Sequence, residues 1–134
     1  MFGSRFKSAD FRIVEPALRA AFDRGDIASM ADLGTVVHVS SGEQLIAKGA
    51  QGTHAFFITA GTASVTRDGD QVAKLRAGDL VGECALVTGE PCNASVTAQM
   101  PITALRFDRR QFDRLRSESS PLKALSDELV ATRS

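Results

Sequence analysis

The residues best suited to chemistry lie in one run, Gly78-Asp79-Leu80-Val81-Gly82-Glu83-Cys84-Ala85-Leu86-Val87-Thr88-Gly89-Glu90-Pro91-Cys92-Asn93-Ala94-Ser95-Val96. It reads as a strand end, a tight glycine turn, one short apolar helical turn, a Gly-Glu-Pro loop and a new strand. A helix entered through glycine presents backbone N–H groups that no earlier turn satisfies, and such an end suits an anion. Glu83 stands beside it, a carboxylate placed to accept hydrogen bonds from sugar hydroxyls. An anion cradle next to a hydroxyl acceptor is what a sugar phosphate requires.

The elements around this run fall into three blocks. Residues 1–34 read as helical. Pro16 near a helix start and Gly25 just past its end bracket 17–22, with Leu18, Ala21 and Phe22 on one face that Phe11 and Val14 extend. A second short helix is expected over 27–33, capped by Asp26 and closed by Gly34. That N-terminal apolar face would cover the rest of the domain or pair with a second subunit. From 35 to 107, short segments rich in Val, Ile, Thr and Phe alternate with glycines, the pattern of a small antiparallel sandwich or barrel. Strands are expected at 36–39, 44–46, 55–59, 63–67, 72–75, 93–98 and 102–107, besides the strand end before Gly82. Asp68-Gly69 marks a hairpin turn. Ala63 and Val65 should face inward, and Ser64, Thr66 and Arg67 outward. Residues 108–134 return to helix: Asp108 and Gln111 form a capping box, and Ser119-Ser120-Pro121 starts a final helix with Leu122, Leu125 and Leu129 on one face. The fold class is α+β, a jelly-roll-like antiparallel β-roll of about eight strands flanked by N-terminal and C-terminal helices in one domain.

Composition narrows the function. Among 134 residues, 16 Lys+Arg balance 16 Asp+Glu, and no basic run occurs, which argues against electrostatic nucleic-acid binding. Trp and Tyr are absent, which disfavours a base-stacking platform. No apolar run reaches the length of a membrane span. No apolar segment follows the basic start to make a secretory signal, so the expected location is cytoplasmic. Cys84 and Cys92 fit no zinc spacing. His38 and His54 are isolated and form no His-x-His pair, so a metal-dependent oxygenase on a β-roll is not encoded and no metal or cofactor is expected. No nucleophile–base pair is visible, so the chain does not read as an enzyme.

Several motifs in order resemble the cyclic nucleotide-binding domain family, in the manner of the cAMP receptor protein and the regulatory subunit of protein kinase A. They are the turn Gly42-Glu43, then Gly49, the strand Phe56-Phe57-Ile58-Thr59-Ala60-Gly61, the turn Gly78-Asp79, and Gly82-Glu83-x-Ala85-Leu86. The resemblance covers roughly residues 27–132. It implies a phosphate-binding cassette at 78–96 containing the short helix. It also implies a ribose-accepting Glu83, phosphate-holding backbone N–H groups over 82–86, and candidate ligand contacts at Gly82, Glu83, Cys84, Ala85, Leu86, Cys92, Asn93 and Ala94. Leu122, Leu125 and Leu129 would be base or lid contacts, or simply the core face of an amphipathic helix. Gly82 is read as needed for close ligand approach, and Glu83 equally as ligand residue or helix cap.

In that family the cassette continues Pro-Arg-x-Ala-[Ser/Thr]-Val. Here it is Pro91-Cys92-Asn93-Ala94-Ser95-Val96, with Cys92 in the arginine position. An arginine–phosphate contact is bidentate and charge-assisted. At about 1.5–3 kcal/mol per hydrogen bond to a charged group, its loss should weaken binding roughly ten- to several-hundred-fold. It should also leave Glu83 with no nearby cation, and phosphate held by the helix N–H groups and Asn93. Arg67, Arg76 and Arg106 read as surface charges. Cys92 reads as a half-buried filler rather than a reactive thiol, a disulfide to Cys84 is not expected, and the sequon Asn93-Ala94-Ser95 is accidental.

These readings combine into a stand-alone sensor domain that binds cAMP or cGMP weakly if at all and signals through a partner protein or a change in dimerisation. The alternative is a degenerate domain that no longer binds nucleotide and serves as a protein-interaction or dimerisation module.

Overall fold

The computed structural model describes residues 30–133. The expected helix over 17–22 and the Asp26 cap lie outside the described residues. A helical turn at 30–33 is closed as expected: the Gly34 N–H donates to the Met30 carbonyl at 2.9 Å.

Eight strands follow, β1 (Thr35–Val39), β2 (Gln44–Ile46), β3 (His54–Ala60), β4 (Thr62–Arg67), β5 (Asp70–Arg76), β6 (Leu80–Val81), β7 (Ser95–Ala98) and β8 (Ile102–Asp108). Three helices join them: α1 (Glu83–Thr88) between β6 and β7, and α2 (Arg109–Glu118) and α3 (Ser120–Arg133) at the end. The strands form two antiparallel four-stranded sheets, ordered β1-β8-β3-β6 and β2-β7-β4-β5. The β4–β5 hairpin turns at Asp68 and Gly69, both at positive φ (54° and 88°), the conformation that suits an Asp-Gly turn to the strand twist.

Alternation places one core between the sheets. Phe56, Ile58, Val65, Leu75, Val81, Val96 and Ile102 meet there. Ala63 and Val65 face in, while Ser64, Thr66 and Arg67 are only partly covered. The outer face of the first sheet carries a second core, where Ala55 and Phe57 of β3 and Leu105 and Phe107 of β8 pack under Phe112, Leu115, Leu122, Leu125 and Leu129 of α2 and α3. β3 is therefore buried on both faces, which its unbroken run Ala55-Phe56-Phe57-Ile58 reflects.

The Asp108 capping box forms in both directions: the Gln111 N–H donates to Asp108 Oδ1 at 2.7 Å, and the Asp108 N–H donates to Gln111 Oε1 at 2.9 Å. Most strands run one to three residues longer than expected, and one starts later. The expected strand over 93–98 is β7 at Ser95–Ala98. Ahead of it, Cys92 exchanges backbone bonds with the β2–β3 loop, its N–H to the Ala50 carbonyl and its carbonyl from the Gly49 N–H.

Candidate functional site

The site is built around α1. Gly82 precedes it in the left-handed region (φ 89°), and a Cβ there would lie 2.6 Å from the His54 carbonyl oxygen. The protein's own β3 already demands glycine, which gives Gly82 a structural reason beside the ligand approach expected of it. Glu83 is the first helical residue and is 1% exposed. Its Oε2 accepts from the Cys84 N–H at 2.9 Å, so one of the cradle's backbone donors is held by the carboxylate next to it.

The other carboxylate oxygen overturns an expectation. Glu83 has a nearby cation: Arg133 Nη1 donates to Glu83 Oε1 in a buried ion pair, and the arginine is 3% exposed. Nη1 also donates to the Leu80 carbonyl at 2.6 Å, and the Arg133 carbonyl accepts from Asn93 Nδ2 at 2.7 Å. The side-chain amide expected to reach a phosphate is thus bonded to the end of α3. Buried ions persist where they are paired and hydrogen-bonded, and this arginine is both. Arg133 escaped the sequence reading, although a signal was present. The buried face of α3 runs Leu122, Leu125, Ser126, Leu129, Arg133, so an arginine sits four residues after a leucine on an apolar stripe.

Gly82, Glu83, Cys84, Ala85, Cys92, Asn93 and Ala94 line one cavity of about 40 Å³ together with Arg133. Leu86 turns away and is buried in the second core, as are Leu122, Leu125 and Leu129. The three leucines are core contacts of α3. A second cavity of about 170 Å³ lies beside the first, beneath the β2–β3 loop, and shares Ile46 and Cys92 with it. That loop presses on α1 at Gly52, where a Cβ would lie 2.2 Å from the Ala85 Cβ. From the far side, Arg109 Nη1 donates to the Leu86 carbonyl at 2.7 Å and ties α2 to α1.

Burial pushes the Cys92 thiol up, which favours the neutral filler over a reactive thiolate, and no disulfide joins it to Cys84. Arg67, Arg76 and Arg106 do not line the cavity. His38 and His54 make contacts to the Thr103 and Thr53 hydroxyls. Among the described residues no cluster of metal-ligating side chains occurs, and no helix is long and apolar enough to cross a membrane.

Comparison with known proteins agrees with this geometry. The family model for the cyclic nucleotide-binding domain matches residues 36–119, and the chain belongs to that family. A cAMP-dependent protein kinase regulatory subunit from Eremothecium gossypii is 31% identical over 85% of this chain, and Glutaminase 2 from Bradyrhizobium diazoefficiens is 34% identical over 73%. The chain spans only 25% and 16% of those two proteins. Among solved structures, a PKAR CBD2 bound to Sp-2Cl-cAMPS superposes with a TM-score of 0.70 at 23% identity, covering 91% of this chain and 85% of that one. The Thermus thermophilus catabolite activator protein gives 0.70 at 19% identity, covering 85% and 55%. A regulatory subunit of a cAMP-independent protein kinase A from Trypanosoma brucei gives 0.69 at 23%, covering 87% and 43%. These structures share the two-sheet fold flanked by helices.

Proposed function

We propose that this chain is a regulatory sensor domain, not an enzyme, that binds cAMP or cGMP with micromolar or weaker affinity in the cavity at α1. Its output passes to a partner protein or to a change in homodimerisation, in the cytoplasm. One observation carries the reading: a carboxylate, Glu83, sits at the first residue of a glycine-entered helix and lines the same cavity as the 92–94 segment. A ribose hydroxyl donating to Glu83 and a cyclic phosphate facing the start of α1 follow from that placement and from the family.

The described cavity is about 40 Å³, whereas sites for small ligands run to roughly 300–1,000 Å³. A nucleotide therefore enters only as the contacts of α3 with the cassette, Arg133 to Leu80 and Asn93 to Arg133, rearrange. Weak affinity follows, because the ligand must displace contacts that the protein already satisfies. A melting series with millimolar cAMP and with millimolar cGMP tests this. Ligand at 100 times its Kd stabilises by about 2.7 kcal/mol, a rise of several degrees in a domain of this size. A melting temperature unmoved by either nucleotide, with a stable partner recovered by pull-down, would support the interaction module, which the small, internally paired cavity also favours.

A further inference from the structure

We infer that Arg133, delivered by the last residue of α3, is the cation that holds the ligand's phosphate in this domain; the assignment rests on the cyclic nucleotide reading above. Of the described residues lining the cavity only two are charged, Glu83 and Arg133. A cyclic nucleotide brings a phosphate anion next to the buried Glu83 carboxylate, and two anions in a desolvated site repel unless a cation stands between them. Cys92 lines the same cavity and supplies no charge, since its thiol is held neutral by burial.

Lys48 pairs with Asp68 at 2.8 Å on the surface, and Arg109 holds the Leu86 carbonyl behind α1. Arg133 is already inside, fixed by Leu80 and Glu83 through Nη1 and tethered at its carbonyl by Asn93. A guanidinium presents five N–H donors in a planar fork, so one group serves a carboxylate on one edge and a phosphate on the other. Ligand binding adds the phosphate as its second anion. The helix bearing the cation is then tied to the ligand, so occupancy is read out as the position of the end of α3.

The test is a calorimetric titration of cAMP, cGMP, adenosine and guanosine into the wild-type chain, Arg133→Gln, Cys92→Arg, and the double variant Arg133→Gln/Cys92→Arg. Arg133→Gln is expected to weaken the cyclic nucleotide by about tenfold or more and to weaken the uncharged nucleoside, which meets Glu83 but brings no phosphate, by clearly less. Cys92→Arg should restore the cyclic nucleotide, because it returns a guanidinium to the same cavity. Arg133→Lys replaces Arg133→Gln in both backgrounds if the glutamine variant does not fold; it should bind several-fold more weakly than wild type and be rescued in the same way. Unchanged or tighter nucleotide binding without Arg133 overturns the assignment, as does equal loss of nucleotide and nucleoside, or failure of the rescue. If Cys92→Arg binds and wild type does not, Arg133 does not supply the cation, while the cassette reading stands. If neither binds, the cassette reading itself fails, and the assignment with it.

Discussion

Glu83 and Arg133 are the residues on which the site turns. At 1% and 3% exposure neither can stand alone, because a buried charge stripped of its partner keeps its desolvation penalty. Arg133→Met should therefore destabilise the domain by about 3–5 kcal/mol, and Glu83→Met/Arg133→Met should recover most of that loss. Urea unfolding of both variants measures it, and a double variant as unstable as the single one would refute the pairing. Cys92 illustrates the opposite case, a polar atom kept neutral by its surroundings. Burial raises its pKa, so in a Cys84→Ser background its alkylation by iodoacetamide at pH 7.5 should be slower than that of free cysteine. Faster modification would show a thiolate instead. Residue type and spacing sufficed to single out Glu83, and the family resemblance to single out Cys92, because both lie inside one short run of sequence. They did not disclose Arg133, which is 50 residues from Glu83 in sequence and reaches it only once α3 has packed.

Elements are held in place by a few contacts that the sequence signals to different degrees. The Asp108–Gln111 capping box and the Asp68-Gly69 hairpin were legible because their chemistry is local. β3, buried on both faces, was legible as a strand but not as the divider between two cores, since that depends on helices folding back over it. The close packing of the β2–β3 loop on α1 leaves no sequence trace beyond Gly52 itself. Gly82→Ala should destabilise by about 2 kcal/mol or more, from a left-handed φ and a Cβ set against the His54 carbonyl. A melting temperature within a degree of wild type would contradict this. The α2–α3 pair carries a pH-sensitive contact. Lys123 above all, with Arg116, holds the Asp127 carboxyl below its ordinary value. A carboxylate with a depressed folded-state pKa stabilises above its unfolded value, near 3.9 for Asp. That contribution is lost as pH falls through the folded-state value. Asp127 is 45% exposed, so the effect is at most about 1 kcal/mol and shrinks in salt. Melting from pH 6 to pH 2.5 should show a shallower acid decline for Asp127→Asn than for wild type. Identical declines would remove Asp127 from the account.

At the scale of the whole molecule, the two-sheet roll positions the cassette and the helices cover it. The sheets share one core, α2 and α3 share another with the outer face of β3 and β8, and α1 lies where the two regions meet, touched by the β2–β3 loop, Arg109 and Arg133. A ligand in the cavity at α1 would therefore act on α3. The most direct measurement is a calorimetric titration of cAMP and of cGMP into the wild-type chain and into Cys92→Arg. The account predicts micromolar or weaker binding of at least one nucleotide by wild type and tighter binding by Cys92→Arg. Absence of heat for both nucleotides with both proteins would contradict it.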